Sequence, residues 1–173
     1  MPALVLQPSQ LFTAMATALR NNAGLNVQVG THDDFTVPGD KAWVLIDIER
    51  NAPGERAANG RIAHALTLSL QVIPAISATA FAACDLIAAL KNLITDNRWG
   101  LPGDQCDLPV NIDGLPSLAI RADQPNKAWT LTFNQTLYLG PTLLDDPLGT
   151  SKFARTWEVS DIDDPDQYTS LEA

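Results

Sequence analysis

The sequence predicts an α+β fold: a mixed, mainly antiparallel β-sheet with two main helices packed on one face, a long projecting β-hairpin, and an extended acidic C-terminal arm. Three observations predict it. Segments 9–22 and 78–96 space their apolar residues as helices do. Segments 42–50, 61–73 and 127–139 are β-branched or alternate with a period of two. After Gly140-Pro141 no sustained period remains. These divide the chain into an α+β domain, 1–140, and an arm, 141–173.

Each element has its own local reason. In 9–22, Leu11, Phe12, Met15, Ala18 and Leu19 build one apolar face, with Ser9 as the expected N-cap and Gly24 as the stop. Leu25, Val27 and Val29 alternate, which predicts a short strand over 25–31; turn-rich residues follow. Ala42 to Arg50 begins apolar on both faces, as in a central strand covered on both sides. Residues 51–60 read as a loop. In 61–73, Leu66, Leu68, Leu70 and Val72 face one way and Ala65, Thr67, Ser69 and Gln71 the other.

Pro74 ends that strand, and Ser77 is the expected cap of the second helix. Ala80, Phe81, Cys84, Ile87, Ala88, Leu90 and Ile94 form its apolar positions, and Cys84 reads as a buried thiol. Three prolines and three glycines make 97–116 a connector, and 117–122 a candidate edge strand. Residues 127–139 set Trp129, Leu131, Phe133, Leu137 and Leu139 against Thr130, Thr132, Asn134, Thr136 and Tyr138. Trp43 and Trp129 are expected in or beside the core. A globule of this size has a diameter near ~37 Å, whereas a 13-residue strand runs roughly 43 Å. The loop at 51–60 should therefore project.

Composition narrows the function classes. The net charge is −9, with no basic stripe, which argues against nucleic-acid binding. Eight carboxylates against Lys152 and Arg155 place −6 of that charge in 145–173. Only 18% of residues are charged, which suggests surface covered by a partner. The two cysteines, Cys84 and Cys106, are too few for a disulfide scaffold and suggest a reducing compartment. Neither a signal peptide nor a membrane-spanning run is expected.

No phosphate-cradling loop, dinucleotide fingerprint, nucleophile elbow or zinc-ligand spacing is present. No catalytic residue, cofactor or metal site is therefore expected. Asp161-Ile-Asp163-Asp164-Pro165 resembles the start of a calcium loop, but Pro165 and Asp166 stand where the turn needs other residues. Asp47 and Glu49 share a strand face and read as ion-pairing positions rather than an acid–base pair. His32 and His64 read as structural or surface residues. Arg50, Arg56 and Arg61 gather around the projecting loop, either as a solvated tip or as a contact for an acidic partner or neighbouring subunit. Phe153 and Trp157 are aromatic anchors in an acidic arm, suited to docking in a groove.

Taken in order, these features resemble the tail terminator (tail completion) proteins of long-tailed phages and Mu-like prophages. The resemblance runs over about 9–140. It rests on the helix Leu11–Asn22 leading to Gly24-Leu-Asn-Val-Gln-Val, and on Val37-Pro-Gly-Asp-Lys before Ala42-Trp-Val-Leu-Ile-Asp-Ile-Glu. It continues through the loop ending at Gly60, the strand Ala65-Leu-Thr-Leu-Ser-Leu-Gln-Val, the segment Ala82-Ala-Cys-Asp-Leu-Ile-Ala-Ala-Leu, and Lys127-Ala-Trp-Thr-Leu-Thr-Phe-Asn-Gln-Thr-Leu-Tyr-Leu-Gly. It is a pattern of elements and spacing, not a signature motif, and the arm lies outside it.

The resemblance implies a non-enzymatic virion protein, assembled in the host bacterial cytoplasm. Such a subunit forms a homo-oligomer, a hexameric ring, on the head-proximal end of the tail tube. The ring stops tube polymerisation and presents the surface that head-completion or connector proteins bind. Its partners are thus its own copies, the tail tube protein and the head-completion protein, with no sequence-specific nucleic-acid contact and no membrane. Two alternatives stand beside it: another head–tail connector or tube-like assembly subunit, and a small cytosolic ligand-binding domain or enzyme.

Overall fold

A computed structural model describes residues 4–37, 39–117 and 128–143. They belong to one compact unit, Met1–Leu143. Its elements are α1 (Ser9–Asn21), β1 (Val27–Gly30), β2 (Ala42–Pro53), β3 (Ile62–Ile73), α2 (Ala82–Ile94), β4 (Val110–Pro116) and β5 (Trp129–Leu139). The five strands form one mixed sheet in the order β1-β2-β3-β5-β4. Only β1 and β2 pair in parallel; the other three pairings are antiparallel. The α+β fold class, mixed sheet and two helices are as the sequence predicts.

The period-two pattern sets which face is buried. Ile46, Leu70 and Leu131 lie in one cross-strand row and Ile48, Leu68 and Phe133 in the next. All pack in one core with Leu11, Met15 and Leu19 of α1 and Ile87, Leu90 and Ile94 of α2. Both helices therefore cover the same face. The other face carries mostly polar rows: Asp47, Ser69, Thr132 and Asp113, then Arg50, Thr67 and Asn134, ending on exposed Val110 at the edge. Trp129 packs against the core, whereas Trp43 lies on the opposite face, with Phe35 edge-on at 5.7 Å.

Several local expectations are corrected. Pro8, not Ser9, holds the N-cap of α1 and makes no side-chain cap bond. The second helix begins at Ala82, after Phe81 at its cap, so Ser77 does not cap it. Its buried stripe is Ala83, Ile87, Leu90 and Ile94. Ala80 and Ala88 are exposed, as is Phe81 at 74%, and Cys84 is only half-buried. The fully buried thiol is Cys106.

The largest correction is β4, inside the presumed connector. Gly114 and Pro116 fit there because β4 is an edge strand, where half of the ladder bonds are not required. A Cβ at Gly114 would come within 2.8 Å of Ile87 Cγ2, so glycine lets α2 lie close on this edge. The expected strand over 117–122 lies, beyond Ser117, outside the described residues.

The connector itself is held by two buried glutamines. Gln105 accepts the Val5 amide on Oε1 and donates through Nε2 to the Val5 and Tyr138 carbonyls. Gln135 accepts Trp99 Nε1–H and donates to the Asp107 carbonyl. Both are 1% exposed, and their bonds satisfy groups that burial would otherwise strand.

Candidate interaction surface

The strands β2 and β3 form a hairpin from Trp43↔Ile73 to Pro53↔His64. The loop is shorter than the sequence suggests, because β2 continues to Pro53. β5 runs beside β3 as far as Ile62↔Leu139, so the hairpin end is part of a three-stranded ribbon. A register shift between Ile48 and Arg50 puts an extra residue into β2. After it, Arg50 shares the helix-free face with Thr67, while Asn51 points to the helix side, where its Oδ1 lies 3.1 Å from His64 Nδ1.

On that side burial ends abruptly along β3. Leu66 is 1% exposed and Ile62 is 51% exposed. Beyond the reach of the helices lies an open groove of about 420 Å³, lined by Pro53, Gly54, Arg56, Ile62, Ala63 and His64. The opposite face of the ribbon carries a smaller depression of about 190 Å³ lined by Arg50, Ala52, Ala65, Thr67, Asn134 and Thr136. Each holds one arginine and no carboxylate.

The three arginines do not form one patch. Arg50 and Arg56 are exposed. Arg61 is 5% exposed and turns inward, where Nη1 donates to Asp104 Oδ2 at 2.6 Å and to the Asp104 carbonyl at 3.1 Å. This is the one ion pair among the described residues. It holds the Asp104 carboxyl below its ordinary value through the charged hydrogen bond. The expectation that Arg61 contacts a partner is therefore corrected: it anchors the loop to the connector. The loop is closed by Gly54 N–H to the Ala63 carbonyl, Ala57 N–H to the Arg61 carbonyl, and Gly60 at φ +82°. At its side Leu143 N–H donates to the Asn59 carbonyl, so the chain leaves the described unit at the hairpin end.

The remaining candidates divide clearly. Asp47 and Glu49 are exposed, and neither makes an ion pair among the described residues. His32 is exposed in a turn, and His64 lines the groove. Phe153, Trp157 and the calcium-loop-like segment lie outside the described residues. Among the described residues no three His, Cys, Asp or Glu side chains gather as metal ligands, and no helix is long and apolar enough to cross a membrane. The sequence reading missed Ile62 and Pro53 as groove walls. Their signal was present: the apolar series of β3 breaks at His64, which marks where the core ends. Neither family models nor curated proteins give a match to this sequence.

Proposed function

We propose that this chain is a tail terminator: a structural virion protein that forms a hexameric ring on the head-proximal end of the tail tube, ends tube polymerisation and offers the head-attachment surface. The observation that carries the reading is a one-sided sheet. Both helices cover one face, while the other presents rows of threonine, serine and asparagine suited to contact with another subunit. The order of elements over 9–140, on which the resemblance rests, supports the same reading. In a closed ring one subunit face meets a different face of the next.

Arg50 and Arg56 are the proposed contacts to the tube or ring lumen, and the arm with Phe153 and Trp157 is the proposed clasp to a neighbour or to the head side. The test is electron microscopy of tube protein polymerised with and without this chain. The reading expects tubes that stop growing and carry a ring at one end. Filaments grown by this chain alone would instead indicate a tube-like protein, and tubes that never bind it would reject the terminator reading.

A further inference from the structure

We infer that this chain closes the free edges of its sheet with its own side chains, so that other copies and partners meet its faces and hairpin end and do not add strands to it. The inference concerns the folded chain alone and stands apart from the tail-terminator reading. Among the described residues the free edges are β1, β4 and the part of β2 past Leu45, where pairing with β1 ends at Gly30↔Leu45. Such edges invite a strand from another chain, because every second residue turns its N–H and C=O outward.

Which residues turn outward follows from β5. Its even positions face β4 and the segment before it: the Thr136 carbonyl accepts Asp107 N–H, and Tyr138 N–H donates to the Gln105 carbonyl. Its odd positions therefore face β3. Leu131 lies opposite Gly114, which turns Gly114, and Pro116 two residues on, outward on β4. Phe133 and Leu137 lie opposite Leu68 and His64, which in turn lie opposite Ile48 and Pro53. Ile48 and Pro53 thus turn outward on β2.

One device closes both of these edges. On β4 the Gly114 amide donates to Asp113 Oδ1 at 2.9 Å, and Pro116 has no N–H. On β2 the Ile48 amide donates to Asp47 Oδ1 at 2.8 Å, and Pro53 has no N–H. β1 is closed by a different pair. Arg20 Nη2 donates to the Val29 carbonyl at 2.8 Å, and Thr31 N–H, just past the strand, donates to Asp34 Oδ2 at 2.8 Å. An added strand would have to displace a charged hydrogen bond at one outward position of β2 or β4 and would find no donor at the proline. Asp47, which has no ion pair among the described residues, thereby gains a task.

The test is amide hydrogen exchange followed by NMR on the full-length protein, with light scattering on the same samples. D113A should speed exchange of the Gly114 amide, and D47A that of the Ile48 amide, by about tenfold or more. D113N and D47N keep an acceptor oxygen without the charge, and exchange in them should stay slow. Exchange unmoved by alanine, or sped equally by asparagine, would overturn the inference. The edge-opening variants D113A/P116V and D47A/P53V, checked by circular dichroism for the parent's fold, should gain more mass with concentration than the parent does. A folded double variant whose mass follows the parent's at every concentration would equally overturn it.

Discussion

Arg50, Arg56 and Arg61 look equivalent in the sequence, yet burial and one partner separate them. Asp104 stands 43 positions from Arg61, and only the fold brings the two together. R61A should therefore cost stability, about 1.5–3 kcal/mol, the range for a hydrogen bond to a charged group, read as a lower urea midpoint. R50A and R56A should stay within about 0.5 kcal/mol of the parent and act only on assembly. Equal destabilisation by all three would contradict the separation. The cysteines invert in a similar way. Burial pushes the Cys106 thiol up to about 12 from its ordinary 9.0. An aromatic disulfide reagent at pH 8 should titrate half-buried Cys84 in the folded protein and reach Cys106 only after unfolding.

That same thiol makes stability pH-dependent, with a definite sign. Below pH 9 both states hold the proton, and the contribution is complete. As pH rises from 9.0 towards about 12, the unfolded chain releases its proton and the folded one does not, so stability falls. Tyr138 adds in the same direction above its ordinary 10.0, because its hydroxyl donates to the Asp107 carboxylate and is partly desolvated. Urea midpoints measured from pH 8 to 11 should decline, and C106A should make the decline shallower. An unchanged slope in C106A would refute this account of the thiol.

At the scale of elements, legibility followed the strength of the period. The alternation in 61–73 and 127–139 placed β3 and β5 to within two residues, because one face of each is packed and the other is polar. β4 was illegible for the opposite reason. An edge strand needs few ladder bonds, so Gly114, Pro116 and the positive φ of Asn111 could stand inside it and resemble a connector. The start of α2 slid from Ser77 to Ala82 because neither end of that segment has a strong cap. Gly114 gives this edge a direct test. G114A should lower stability by about 1–3 kcal/mol through overpacking against Ile87, read as a lower melting temperature. An unchanged melting temperature would mean that α2 does not lie close on β4. The hairpin end was half legible. The two flanking strands were legible from their periods, while the extension of β2 to Pro53 and the company of β5 were not.

At the scale of the whole molecule, low charge content and, among the described residues, a sheet with helices on one face only are the features behind the proposal that the chain completes its surface with partners. The sequence suggested partnership through composition and through its resemblance to tail terminators. It could not indicate which surfaces serve, because much of the helix-free face is threonine, serine and asparagine that also suit solvent. The most direct test of the central claim is to add the purified protein to polymerising tube protein and view the products by negative-stain microscopy. The account predicts tubes of arrested length with a ring at one end. Tubes of unaltered length with bare ends, alongside unbound protein, would contradict it.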